Sequence, residues 1–216
     1  MMICGIDEAG RGPAIGPMVV AGVKVNDDGK LIEMGVKDSK MLSAKRREEL
    51  EDKIKKCSEF TIKRISASDI DELRKSNSLN KIEANFFAEI VDELCEVDDV
   101  CYMDSASTDE DKYGAKVKDQ VSSEVEIISK HEADLDYPVV SAASIIAKVE
   151  RDRQIEKISE EIGKNIGSGY PSDQRTRQFL KEWISNNDSL PPHSRKSWKT
   201  CKTLLNRHQT CSLDQF

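Results

Sequence analysis

The sequence predicts an α/β fold, strands alternating with helices, on three observations. Short apolar runs rich in Ile, Val and Met recur along the chain, amphipathic helical segments separate them, and acidic residues sit at the ends of the runs. Its 216 residues are enough for one well-buried core and too few to force two full domains.

Residues 2–6 and 17–25 read as two strands forming a hairpin with a long tip, punctuated by Gly10, Gly12, Pro13, Gly16 and Pro17. Asn26-Asp27-Asp28-Gly29 is a turn signal, and the polar loop Val36-Lys37-Asp38-Ser39-Lys40 leads to an N-cap at Ser43. A helix then runs to Cys57, with Leu42, Leu50 and Ile54 on one face. A strand over 60–65 and a short helical piece over 68–73 follow. Residues 80–94 predict an amphipathic helix, since Ile82, Phe86, Ile90 and Leu94 recur at spacing four. The apolar run 97–103 ends in Asp104, so a carboxylate again terminates a strand, where parallel and mixed sheets commonly collect function.

A helix over 112–121, a strand over 124–128 and a polar connection through Ala133-Asp134 come next. From Tyr137 onward small residues permit close helix packing, and the helix continues to Ile162. Its Ile145, Val149, Ile155, Ile158 and Ile162 form the buried side, and Ser144, Lys148 and Arg151 form a polar stripe. Glycines and a proline mark 163–171 as a loop, and the remainder is helical with a break at Pro191-Pro192.

Composition narrows the class. Charged residues at 34 % and apolar ones at 38 % exclude collagen-like and membrane-spanning chains. The longest apolar stretch, 18–23, falls far below the roughly 18 residues of a spanning helix, and no signal peptide opens the chain. A cytoplasmic protein with no membrane partner is expected. Six cysteines lack any C-x-x-C spacing and read as reduced, mostly buried side chains, and three scattered histidines make histidine-rich metal chemistry a poor fit. The net charge of −7 hides an asymmetry: residues 138–216 hold 13 Lys and Arg against 9 Asp and Glu.

The chemistry centres on Asp7-Glu8-Ala9-Gly10-Arg11-Gly12-Pro13. Two carboxylates able to hold a hard cation stand beside a glycine-rich turn and a guanidinium able to hold a phosphate. Metal-assisted chemistry on a phosphate ester follows as an expectation, because divalent ions can both activate water and neutralise the departing oxygen. Asp7, Glu8, Asp104 and Asp134 each end a predicted strand or precede a helix, so they could converge. Taken singly, such residues are more often turn formers or caps. Successive side chains point to opposite faces of a strand, so Glu8 joins Asp7 only if the strand ends or bends there. The glycine pattern fits neither a dinucleotide fingerprint nor a P-loop.

Five stretches carry a more specific signal: Gly5 to Pro13, Asp38-Ser39-Lys40, Asp104-Ser105, Ala133-Asp134 with Tyr137 to Lys148, and Gly167-Ser168-Gly169-Tyr170-Pro171. In this order they closely resemble ribonuclease HII, in wording similar to the archaeal branch and to the catalytic subunit of eukaryotic ribonuclease H2. The resemblance implies a ribonuclease H-like fold, a central mixed β-sheet flanked by helices, with a catalytic core over 1–165 and a helical C-terminal extension over 166–216 packed on it as one structural domain. It also implies cutting of the RNA strand in RNA/DNA hybrids, and incision 5′ to a single ribonucleotide in duplex DNA with two Mg²⁺ or Mn²⁺ ions. Asp7, Glu8, Asp104 and Asp134 resemble the metal-ligating carboxylates. Gly10, Arg11 and Gly12 resemble the turn that reads the 2′-hydroxyl, and Tyr170 resembles the tyrosine that packs on the neighbouring deoxyribose. Lys40, Lys148 and Arg151 are candidate phosphate contacts, with a solvated helix face as the competing reading. Ribonuclease HIII is similar but carries an N-terminal substrate-binding domain and lacks the Gly-Arg-Gly turn, and no such domain is expected here.

Leu213 and Phe216 would project together from a terminal helical turn. They resemble a degenerate sliding-clamp-binding tail, although the preceding glutamine is one residue out of place and only one aromatic is present. A monomer is expected. The competing functions are another metal-dependent nuclease of the same fold, of junction-resolvase type, and a non-catalytic nucleic-acid-binding protein.

Overall fold

The computed structural model describes residues 2–37 and 42–213, the last three without their side chains. The chain divides into two compact units, the first comprising residues 1–9, 19–64 and 77–150 and the second 10–18, 65–76 and 151–216. The first unit is built on a five-stranded sheet of β1 (Ile3–Ala9), β2 (Met18–Val25), β3 (Glu59–Ile65), β4 (Val100–Asp104) and β5 (Glu126–Lys130), in the order β3-β2-β1-β4-β5. β1 lies at the centre, antiparallel to β2 and parallel to β4, which is in turn parallel to β5. The sheet is therefore mixed, as the family resemblance implies.

Helices α1 (Gly29–Met34), α2 (Ala44–Cys57), α4 (Leu79–Leu94), α5 (Glu110–Lys118), α6 (Ala133–Asp136) and α7 (Pro138–Ile162) accompany these strands, while α3 (Ala67–Leu73), α8 (Gln174–Asn187) and α9 (Lys199–Leu213) belong to the second unit. Ser43 caps α2 as expected, its hydroxyl accepting the Arg46 N–H at 3.3 Å. Leu50 and Ile54 are fully buried below it.

Two glycines set how closely helices approach the central strands. A Cβ on Gly5 of β1 would lie 2.3 Å from the Val139 backbone carbon in α7, so the start of α7 rests directly on the strand. On Gly22 of β2 a Cβ would meet Ile90 at 2.4 Å and Leu94 at 2.8 Å, both from α4. Gly22 pairs with Ile6 and Gly5 with Val23, so the two glycines open opposite faces of the sheet. The small residues expected to let α7 pack closely do so: Val139, Val140, Ala142, Ala143, Ile145, Ile146 and Ala147 are fully buried.

Several boundaries depart from the sequence reading. β1 does not stop at Ile6 but runs through Asp7 and Glu8 to Ala9, where its pairing to β2 continues as far as Val19. Helices α1 and α6 form where only turns and a polar connection were expected, both being shorter than the window in which periodicity is readable. The stripe of Ser144 and Arg151 on α7 is not solvated, since the two are only 0 % and 6 % exposed.

In the second unit, Ala14, Ile15, Ile155, Ile158, Ile166, Phe179, Leu180 and Cys201 form a separate core. The segment after Gly10 is stitched into it by backbone bonds: Ala14 N–H to Gly169 O at 2.8 Å, Gly16 N–H to His193 O at 2.9 Å and Arg195 N–H to Ala14 O at 2.8 Å.

Because the atom facing Gly5 is backbone, it cannot swing aside. Replacing Gly5 by Ala is expected to lower stability by about 1–3 kcal/mol through overpacking. Urea unfolding checks this, and an unchanged midpoint would contradict the close β1–α7 contact.

Candidate active site

Asp7 lies near the end of β1 and is only 5 % exposed. The Glu8 N–H donates to its Oδ1 at 2.7 Å, and Ser144 on α7 hydrogen-bonds its carboxylate. Lys148, one turn further along α7, donates from Nζ to Ser144 Oγ at 2.7 Å. A chain from Lys148 through Ser144 to Asp7 therefore occupies one face of the sheet. Burial, and then the Asp104 charge, push the Asp7 carboxyl up to about 7 against the lowering influence of Ser144 and Lys148.

Glu8 points to the other face, as alternation requires, yet its carboxyl interacts with both Asp7 and Asp104. Burial, followed by the charges of Glu83, Asp7 and Asp104, pushes it well above the usual carboxylate range. Its Oε2 is buried without a hydrogen-bond partner. Such an atom costs free energy unless a cation or donor reaches it, so the donor set fits a hard divalent ion.

Asp104 closes β4, the strand parallel to β1, and its Oδ1 accepts the Ala133 N–H at 3.0 Å. That bond anchors α6, whose second residue, Asp134, is 3 % exposed. The Ser141 hydroxyl donates to the Asp134 main-chain oxygen. Asp7 and Glu8 thus both feel the Asp104 charge, and Asp134 directly follows Ala133, whose N–H binds Asp104.

Glu83 escapes the sequence reading. It is fully buried on α4 and accepts the Tyr113 hydroxyl at 2.6 Å. A signal was available, because Glu83 stands four residues before Phe87, within the apolar stripe of the helix.

The second unit holds the Gly10-Arg11-Gly12 turn. Gly10 has φ 84°, and a Cβ there would lie 2.6 Å from the Pro17 oxygen, so glycine is required on both counts. The turn is clamped by the fully buried Arg195, which donates to the carbonyls of Gly10, Arg11 (2.8 Å) and Gly16 (3.1 Å). Trp198 stacks on this guanidinium with 4.8 Å to the ring centroid, and its Nε1–H donates to Gly12 O at 3.3 Å. A trans peptide points its C=O and N–H in opposite directions. The amides of Arg11 and Gly12 therefore face away from Arg195. Burial lowers the Arg195 pKa to about 10, leaving it charged at neutral pH.

Tyr170 is half-buried, with the Arg151 guanidinium 4.6 Å from its ring centroid. Arg151 also donates to Ser168 O and to Asp152, so it supports the loop that carries Tyr170. That loop is pinned further by Ser168 N–H to Asp173 Oδ2 at 2.7 Å and Gly169 N–H to Thr176 Oγ1 at 3.0 Å. A Cβ on Gly12 would come 3.7 Å from the Tyr170 ring. Lys40 and Phe216 lie outside the described residues, as does the side chain of Leu213. No helix among the described residues is long and apolar enough to cross a membrane.

A family model described as ribonuclease HII matches residues 4–201. A curated ribonuclease HII of Methanococcoides burtonii is 46 % identical over 214 residues, covering 95 % of this chain and all of that protein. Among solved structures, ribonuclease H2 of Pyrococcus horikoshii superposes with a TM-score of 0.90 at 38 % identity, covering 97 % of this chain and 99 % of the other. Ribonuclease HII of Archaeoglobus fulgidus, solved in complex with PCNA, gives a TM-score of 0.86 at 42 % identity over 94 % of this chain and 96 % of its own. With the mixed sheet and the buried acidic strand ends, these likenesses make the chain a member of the ribonuclease HII family, metal-dependent hydrolases that cut the RNA strand of RNA/DNA hybrids.

Proposed function

We propose that this enzyme also incises duplex DNA 5′ to a single embedded ribonucleotide, leaving 3′-OH and 5′-phosphate ends. Asp7, Glu8, Asp104 and Asp134 would hold two divalent ions, Mg²⁺ or Mn²⁺. The observation that carries the reading is the buried, partnerless Glu8 oxygen beside an Asp7 carboxyl raised to about 7. Carboxylates crowded in this way are relieved by cations, and binding near neutral pH expels the proton that Asp7 otherwise retains. When bound, the ions supply an activated water and neutralise charge on the leaving oxygen.

The chain's own residues do the rest. Ser144 and Lys148 hold the Asp7 carboxylate in place. In the second unit, Arg195 fixes the Gly10-Arg11-Gly12 backbone, and the outward amides of Arg11 and Gly12 are suited to a 2′-hydroxyl or a phosphate oxygen. The 2′-hydroxyl is what separates ribose from deoxyribose, and glycine lets backbone approach it. Tyr170, backed by Arg151, offers a rigid ring face to a sugar without that hydroxyl. Lys40 and Lys148 remain phosphate candidates. The C-terminal residues Leu213 to Phe216 are proposed to engage a sliding clamp, in keeping with the relative solved in complex with PCNA.

A labelled duplex with one ribonucleotide, a long hybrid and a four-way DNA junction, each with and without Mg²⁺, test the activity. Asp7→Asn is expected to reduce cutting of the single-ribonucleotide duplex on the order of 100-fold or more while leaving binding intact. Full turnover by that variant, or preferential cutting of the junction, would sink the proposal.

Tyr170→Ala is expected to reduce single-ribonucleotide incision about 10-fold, the worth of one aromatic stacking contact, and to affect a long RNA tract less. Equal losses on both substrates would refute junction reading.

Deleting 213–216 is expected to weaken capture on immobilised PCNA without changing cleavage in isolation. Undiminished capture would remove the tail from the interface.

A further inference from the structure

Three of the six cysteines, distant in sequence, meet on the α4 face of the sheet. Cys4 of β1 and Cys101 of β4 are partners in the parallel register, and Cys95 is the residue capping the C-terminus of α4. Their Sγ atoms all lie within 4.8 Å of one another, and the residues are 0 %, 0 % and 7 % exposed respectively. Three sulfurs at this spacing, approaching from three separate elements, form a ligand set for a thiophilic ion.

The surroundings select among such ions. Structural zinc sites take four ligands. The adjacent carboxylate, Asp99, is already committed: it accepts the Met2 N–H at 2.8 Å and the Glu96 N–H at 2.9 Å, and pairs with the buried Lys24 ammonium at 2.9 Å. Charge points the same way. Three thiolates around a monovalent or divalent ion would leave net negative charge in the core, where the one nearby ammonium, Lys24, is already neutralised by Asp99, at a heavy desolvation cost. A trivalent ion leaves none.

We propose that Cys4, Cys95 and Cys101 form a three-coordinate, all-sulfur binding site for trivalent arsenic. Arsenous acid is a small neutral molecule at neutral pH, so it can enter without bringing charge. In the reaction three As–O bonds are replaced by three As–S bonds, three waters leave and no electrons transfer. The three thiol protons join the three departing hydroxyls as water, so the bound core stays neutral. The bound ion would tie together β1, β4 and the end of α4, and the tied strands carry Asp7 and Asp104 three residues further on.

The test is anaerobic titration of the reduced full-length protein with sodium arsenite, read by native mass spectrometry, by arsenic X-ray absorption and by the thermal midpoint. One arsenic per chain with three sulfur neighbours and a raised midpoint is expected. Cys95→Ala, at the most accessible of the three positions, should weaken binding at least 10-fold and abolish the midpoint shift, whereas Cys57→Ala should change neither. Cys4→Ser and Cys101→Ser repeat the test at the other two positions, with far-UV circular dichroism confirming that each is folded. The proposal fails if no 1:1 adduct forms, if the adduct survives Cys95→Ala, or if Zn(II) occupies the three cysteines and arsenite does not displace it.

Discussion

The crowding of carboxylates at the end of β1 is the constraint on which the first unit turns. Asp7 and Glu8 are consecutive on the central strand and so face opposite sides of the sheet, yet both interact with Asp104 on the parallel neighbour. The close approach of α7 at Gly5 and of α4 at Gly22 makes the end of the strand dry. Burial first, and then the charge of Asp104, push the Asp7 carboxyl up to about 7, above the ordinary carboxylate range. An apolar pair would be more stable at this position. The arrangement is explicable if a divalent cation is part of the working site.

The second unit solves a different problem with one buried guanidinium. A glycine turn is flexible when isolated, and a flexible backbone loses free energy whenever a ligand orders it. Arg195 removes that freedom by donating to three carbonyls at once, which its planar fork can do and a lysine ammonium could not match. Its own desolvation is offset by these bonds and by the face of Trp198. Arg151 treats the Tyr170 loop similarly, through Ser168 O and the tyrosine ring.

What could be read from the sequence follows from what periodicity and residue type encode. Helices α2 and α4 were legible because each is long and carries an apolar stripe, and Asp104 at the end of β4 because an apolar run stops there. α1 and α6 fell below that window. The extension of β1 through Asp7 and Glu8 went unread because acidic residues disfavour strands, and pairing with β2 overrides that preference. Arg195 gave no signal, lying in an irregular stretch after Pro191-Pro192 where no period exists. The turn it clamps was legible from its glycines and arginine as a place for a phosphate, while the expectation of a 2′-hydroxyl came only from the family resemblance.

The cysteine trio shows why some sites cannot be read along a chain at all. Cys95 and Cys101 are six residues apart and Cys4 is remote, so no ligand spacing betrays them; they meet because the β1–β4 register places Cys4 beside Cys101. The same register that aligns the sulfurs carries both strands onward to Asp7 and Asp104, roughly 10 Å away at the rise of a β-strand. The proposed soft and hard ligand sets would thus share two strands without sharing ions. Thiolates favour thiophilic elements and carboxylates favour Mg²⁺ or Mn²⁺, so ligand chemistry alone keeps the two sets apart.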